Sequence, residues 1–441
     1  MQSYLSVSAA ALFFLALRVT RAAYDELSRV EQVDSVLPVE LKRRGAKTLY
    51  KVVERMHAFS PQELETIPNL SLTDEGPEIK ERKVKLGKVL FCTSGIVGTI
   101  VVRALCVCHK GIECKCSWAG LNLIMKISFP SQSRESEVTI IKHCTEKAAA
   151  LGDEWVKKHL PQVLSSFSVE FADISLRRSL MVVRSMQELY PLKELKYAEQ
   201  FAQVLYDILQ SHEWVYVNAR VLHRDVSRGN IMYRKEGDQV YGVLNDFDLA
   251  LILDAPHSGS LSNHRASTPL FMTQEQLVDG WNGPPRFRHG LESLFYVMLL
   301  LACNYEASGV RAATLEYGEW HHAQDSSDLG RQKFALTREE SWSPPVETFF
   351  DGFLPWLQYI KLNLWDGIGA RDKHRRQRER ERANGIPRAR LLPTPAAQVY
   401  FDEETLDGHF SYETFFHVMR SFNGKKLLTR NPQRMQVEET R

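Results

Sequence analysis

"VLHRDVSRGNIMY" (Val221 to Tyr233), followed by "GVLNDFDLA" (Gly242 to Ala250), decides how this chain is read. Asp225 and Asn230 stand five residues apart in a polar turn between apolar runs, and a second acid, Asp246, follows the run "YGVL". The stretch between, "NIMYRKEGDQVYGVL", alternates as two strands do about the turn "KEGDQ", so a β-hairpin is expected. A hairpin of that length folds Asp246 back beside the first loop.

Two acids and an amide oxygen gathered in this way suit phosphoryl transfer from ATP. That reaction needs a metal against the phosphates and a carboxylate beside the attacking hydroxyl. Asp225 would orient the hydroxyl as base. Asn230 would offer a neutral oxygen to a metal, and Asp246 a carboxylate to the same metal or its neighbour. The signature is specific because three polar positions and a strand must agree in register.

Helical patterns surround this centre. "SRESEVTIIKHCTEKAAALGDEWVKKHL" (Ser133 to Leu160) opens with Ser and Glu, as a capped amphipathic helix does, and "LKELKYAEQFAQVLYDILQSHEWVYV" (Leu192 to Val217) carries a long apolar stripe. "FRHGLESLFYVMLLLACN" (Phe287 to Asn304) is apolar nearly all round, which predicts a central buried helix. From Lys85 to Phe129, short β-branched runs alternate with turns, as in a small antiparallel sheet. "YETFFHVMRSF" (Tyr412 to Phe422) reads as a last helix packing back on the body.

Bulk properties bound the function. The chain has 441 residues, a formal net charge of +2 and ordinary apolar and charged fractions, so nothing global suggests nucleic acid or a membrane surface as its main partner. Seven cysteines in a chain this long do not resemble a disulfide framework, and a reducing compartment, cytoplasmic or nuclear, is expected. "YLSVSAAALFFLAL" (Tyr4 to Leu17) is too short to span a membrane and lacks the flanks of a signal peptide; a buried helix is expected. "RDKHRRQRERERANGIPRAR" (Arg371 to Arg390) reads as a solvated loop or frayed helix, with a nuclear-import or nucleic-acid patch as the alternative.

The motifs "LHRDVSRGNIMY" and "VLNDFDLA" resemble the catalytic and metal-binding loops of protein kinases. More narrowly they resemble the fungal-type protein kinases, which carry HRD-[IV]-S and D-F-D. "RASTPLFMTQEQL" (Arg265 to Leu277), "RHGLESLFYVML" (Arg288 to Leu299) and "LIMKISFPSQSRESEV" (Leu123 to Val138) continue the resemblance, which spans roughly residues 90 to 340. It implies Asp225 as catalytic base and Asn230 and Asp246 as metal ligands. It also implies Lys126 on the α- and β-phosphates, paired with Glu137 or with Glu135. His223 and Phe247 would pack under the site, Thr268 would hydrogen-bond near Asp225, and Glu275 would anchor the end of the activation segment.

Two positions, Thr93 and Gly290, depart from the family pattern, and two more, Ser227 and Asp248, from that of most protein kinases. "CTSGIVGTIVV" (Cys92 to Val102) keeps Gly95 and Gly98 for the nucleotide but has Thr93 where the first loop glycine would be. Asp248 follows Phe247 as in the resembled family, and adds a carboxylate. Ser227 stands where a Ser/Thr kinase has lysine, with Arg228 next to it as a substitute charge. Gly290 stands where the family has an Asp that braces the catalytic loop, so an Asp placed there is expected to raise stability and turnover. A separate motif, "CVCHKGIECKC" (Cys106 to Cys116), could hold zinc but reads better as buried or edge thiols.

The sequence therefore predicts an α+β, two-lobed protein-kinase-like fold. A helical N-terminal extension would occupy residues 1–85, the smaller lobe 86–175 and the larger lobe 176–370. An Arg-rich linker at 371–395 and a C-terminal helix and tail at 396–441 would follow. The function implied is transfer of the γ-phosphate of ATP, with Mg, to Ser or Thr of a protein substrate. The alternatives are a pseudokinase scaffold and a small-molecule phosphotransferase. The sequence leaves the oligomeric state open.

Overall fold

The structure, a computed structural model, describes residues 70–73, 76–79, 82–92, 100–107, 122–128, 135–170, 177–184, 189–254, 268–323, 325–383 and 400–439. The expected helix at Tyr4 to Leu17, Gly95, Gly98, most of the Cys-rich motif and the Ser-rich stretch after Ala255 lie outside the described residues. Helices and small antiparallel sheets together make the fold α+β. The chain divides into two units, Met1–Arg134 with Gln162–Glu188, and Glu135–Pro161 with Leu189–Arg441.

The described residues of the first unit form an antiparallel sheet of seven strands. These are β1 (Leu70–Thr73), β2 (Gly76–Ile79), β3 (Arg82–Cys92), β4 (Ile100–Val107), β5 (Asn122–Ser128), β6 (Gln162–Glu170) and β7 (Arg177–Arg184), in the order β1-β2-β3-β4-β5-β7-β6. Lys126 lies on β5, opposite Val101 of β4 and Met181 of β7, and is buried. Two boundaries need correction. Residues 70–73, 76–79 and 82–85 form strands, not a helical extension, and β7 keeps the chain in the sheet past residue 175. The first boundary is obscured because the four-residue runs "LSLT" and "GPEI" carry too little periodicity to set strand apart from helix or loop.

Between β5 and β6 the chain leaves the sheet for helix α1 (Glu137–Leu151), which clusters with the second unit. Its ends follow from its residues. Ser136 accepts from the Thr139 N–H, and Gly152 closes it at φ 73°.

The second unit is built around helices α2 (Ala198–Val217) and α4 (Phe287–Asn304), with the short α3 (Gln274–Leu277) between them in sequence. Every residue of α4 except Gly290 is buried, as its all-round apolar pattern requires. Strand β8 (Tyr190–Pro191) pairs with β10 (Ile231–Glu236), which pairs in turn with β11 (Gln239–Leu244); β9 (Val221–Leu222) pairs with β12 (Leu251–Ile252). Glu236 lies opposite Gln239, so the hairpin turns on Gly237 and Asp238, with Gly237 at φ 60° as a tight turn of this kind demands. Strand β11 lies hard against α2. A Cβ on Gly242 would stand 2.4 Å from the Val204 carbonyl oxygen, so only glycine permits that approach.

Helices α5 (Ser326–Arg338), α6 (Leu354–Ala383), α7 (Tyr412–Met419) and α8 (Pro432–Glu439) complete the unit. The start of the Arg-rich run is an unbroken continuation of α6 as far as Ala383, although a loop or frayed helix was expected there. Helix α7 packs back as expected. Its Tyr412 hydroxyl lies 2.7 Å from His212 Nδ1 on α2, and Phe416 meets Tyr206 edge-on. Past it, the Leu428 N–H donates to Gln203, while Arg430 pairs with the fully buried Asp207 of α2. Among the described residues no helix is long and apolar enough to cross a membrane.

Candidate active site

The loop between β9 and β10 is folded by its own polar groups. The N–H groups of Asn230 and Ile231 both donate to the Ser227 carbonyl, closing a turn, and Asn230 Nδ2 donates to the Asp225 carbonyl (2.9 Å) and to Asp225 Oδ2 (2.8 Å). The second oxygen, Oδ1, accepts from the Thr268 N–H at 3.2 Å. Asp225 is thus held from two sides. Beneath it His223, fully buried, meets the buried Phe247 ring edge-on at 4.7 Å. The Asp225 N–H donates to His223 Nδ1, which fixes Nε2 as the protonated nitrogen donating to the Asn245 carbonyl at 3.1 Å.

Asn245 is also the hinge that brings in the second acid. Its N–H donates to the Asn230 carbonyl at 2.9 Å, so the strand end and the catalytic loop are tied by backbone. Asp246 follows at φ 65°, and Arg224, beside the base, sits at φ 70°. Left-handed backbone at non-glycine residues costs ~1 to 3 kcal/mol each and clusters where geometry serves a site.

Glu137 enters from the first residue of α1. Its Oε1 accepts from the Phe247 N–H at 2.9 Å, and its carboxylate, with those of Asp246 and Asp248, forms a group whose oxygens lie within 4.8 Å of one another. Hard carboxylate oxygens crowded in this way are the donor set that Mg prefers, and their mutual repulsion favours a bound cation. The residues present therefore fit a divalent metal. Glu137, expected as a partner for Lys126, is in this geometry also a candidate ligand, and Asp248 joins it. Lys126 itself belongs to the sheet unit.

The segment after Thr268 lines the other side of the base. A 3₁₀ turn at Pro269–Phe271 leads to α3, capped reciprocally by Thr273 and Gln276. Glu275 on α3 receives Arg288 Nη2 (2.7 Å), His289 Nε2 (2.6 Å) and Arg371 Nη1. His289 Nδ1 accepts from the Arg286 N–H, so Nε2 carries the proton and donates. Burial pushes the His289 pKa down to about 4, leaving it neutral near pH 7. Burial alone would raise the Glu275 carboxyl. The His289 bond and the Arg288 and Arg371 charges outweigh that and hold it well below the usual range. His289 and Arg371 carry no signal of this role in the sequence: His289 opens "HGLES", and Arg371 heads a run whose residues 375–383 are exposed.

Gly290 is corrected here. A Cβ at that position would stand 2.4 Å from His212 Nε2 and 2.9 Å from its Cε1. His212 is buried and held by Tyr412, and burial lowers its pKa to about 3, so a neutral ring fills the space where an aspartate was imagined. The glycine answers a histidine brought in by α2, and no carboxylate fits. Arg228, offered as a substitute charge, places its guanidinium 5.3 Å over the Tyr305 ring.

A loop with an acid and an amide in hydrogen-bond contact, tied to a metal-capable acid at a strand end, is kinase chemistry in outline. Residues 176–302 match the family model for fungal protein kinases. The resemblance read from the sequence holds over that segment, and the match supports a kinase-type phosphotransferase. The fungal-kinase segment contains Asp225, Asn230, Asp246, Glu275 and Gly290, whereas Lys126, Glu137 and Arg371 lie outside it. No curated protein matches the chain.

Proposed function

We propose that the protein is an ATP- and Mg-dependent kinase whose sheet unit and helical unit are the two lobes of a protein-kinase fold, and that it phosphorylates Ser or Thr of proteins. The observation that carries this reading is the Asp225 carboxylate, held by Asn230 and the Thr268 N–H and tied through Asn245 to Asp246.

In this reading Asp225 accepts the proton of the acceptor hydroxyl as its oxygen bonds to the γ-phosphorus and the bond to the β-phosphate oxygen breaks, releasing ADP. The Asn230 and Thr268 donors keep its oxygens oriented. Asp246, Asp248, Glu137 and Asn230 would hold Mg, which supplies charge neutralisation on the phosphates. Lys126 keeps its expected role on the α- and β-phosphates. The ordered segment from Thr268 to Leu277 favours a protein acceptor, because it walls the space beside the base as a docking edge for an extended chain.

Incubating the purified protein with ATP, Mg and a mixed protein substrate tests this. Phosphoserine or phosphothreonine that requires Asp225 is the expected product. Nucleotide binding with no transfer would instead make the protein a scaffold, and transfer confined to small hydroxyl compounds would make it a small-molecule phosphotransferase.

A further inference from the structure

Helix α5 lies beyond the fungal-kinase segment and contributes no expected site residue, yet it buries a lysine completely. Lys333 has no exposed surface, and its ammonium donates to the carbonyls of Leu270 (2.8 Å) and Met272 (2.5 Å). It also stands 4.0 Å over the Tyr296 ring and 5.3 Å from the Trp320 ring. The Tyr296 hydroxyl donates to Glu292 Oε1 at 2.7 Å, and that oxygen also accepts the Gln274 N–H at 3.1 Å.

Backbone groups at three alternate positions, 270, 272 and 274, are therefore gripped by one buried cation and one buried carboxylate joined through a tyrosine. Burying either charge is costly, and apolar residues of the same volume would fill the space at less expense. Burial lowers the pKa of Lys333 and raises that of Glu292, which records that cost. The segment gripped is the one whose Thr268 N–H bonds to Asp225 and whose Phe271 and Met272 line the pocket beside that base.

We infer that Lys333, Tyr296 and Glu292 form a latch that positions the acceptor-side wall of the active site. The inference rests on the kinase reading for what the wall receives, but the latch itself is tested without it. The three are positioning residues: none reaches the nucleotide or the reacting atoms, and each acts through the backbone of residues 270–274.

The experiment is Lys333→Met in the full chain, read by amide hydrogen exchange and by steady-state kinetics. Amides of residues 270–274 should exchange about tenfold faster or more while those of α4 stay protected. The KM for a protein acceptor should rise by about tenfold, with the KM for ATP within about twofold. Unchanged exchange at 270–274, or equal acceleration throughout α4, would overturn the latch. If Lys333→Met does not fold, Tyr296→Phe removes only the hydroxyl bond to Glu292 and should give the same local pattern at smaller amplitude; no local change there would also overturn it. If the unmodified protein transfers no phosphate to any protein, the kinase reading fails while the exchange data still judge the latch.

Discussion

The loop around Asp225 and the segment running to Glu275 meet where the Thr268 N–H donates to Asp225, yet they are assembled in opposite ways. Asp225, Asn230 and Asp246 come from one stretch of chain. The turn at Ser227, the Asn230 amide and the hairpin register supply most of their geometry. Glu275 is held instead by Arg288 and His289 of α4 and by Arg371 of α6, and the latch below it draws on α4 and α5. The first region is local and polar. The second is long-range, buried and charged. Chemistry is therefore written in the loop, while its placement depends on helices that arrive later in the chain.

The comparison breaks most sharply at the base. Asp225→Asn should lower turnover by roughly 10²- to 10⁴-fold at a stability cost of only ~1 kcal/mol, because the side chain serves the reacting hydroxyl and an asparagine can still accept from one of its two donors, Asn230 or Thr268. A large fall in stability with this change would mean that the loop, too, depends on long-range charge.

The anchor should show the reverse. Glu275→Gln removes the carboxylate shared by the buried Arg288 and Arg371 and should cost ~3 to 5 kcal/mol of stability by denaturant titration. A loss under ~1 kcal/mol would show that the cluster is no more than a surface ion pair.

At the crossing of α2 and α4, Gly290→Ala should destabilise by ~1 to 3 kcal/mol, since the buried His212 ring, bonded to Tyr412, must shift away from the added methyl. Combining it with His212→Ala should recover part of that loss, and strict additivity of the two changes would argue against the contact. An aspartate at 290 meets the same obstacle, so it should lower both stability and turnover.

Acid separates the two regions more gently. The folded pKa of His289, about 4, lies below the ordinary 6.5, so the unfolded chain binds this proton first as pH falls. The stability His289 contributes is complete above pH 6.5 and is lost as pH falls from there toward 4, at up to ~1.4 kcal/mol per pH unit. His159 and His212, also depressed by burial, add the same sign; Asp207, raised to about 6, opposes it between roughly pH 6 and 4. Stability measured against pH should therefore lose about one proton of slope in His289→Gln, and an unchanged slope would place the His289 proton elsewhere.

The same contrast explains what could be read from the sequence. The hairpin, the capped α1, the buried α4 and the grouping of Asp225, Asn230 and Asp246 all follow from spacing and periodicity over a few turns of chain. His212 opposite Gly290, Lys333 under residues 270–274 and Arg371 on Glu275 do not. Each is an ordinary polar residue in its own helix and acquires meaning only from a partner between 60 and 100 residues away in sequence. The glycine at 290 was visible as a departure, but its cause sat on another helix.

The most direct test of the central claim is nucleotide affinity against Mg concentration in Asp225→Asn and Asp246→Asn side by side. If the loop supplies the base and the strand end a metal ligand, Asp246→Asn should lose Mg-dependent nucleotide binding, while Asp225→Asn should bind within about twofold of the unmodified protein yet transfer phosphate at least ~10²-fold more slowly. Equal loss of nucleotide affinity in the two variants would contradict that division of roles.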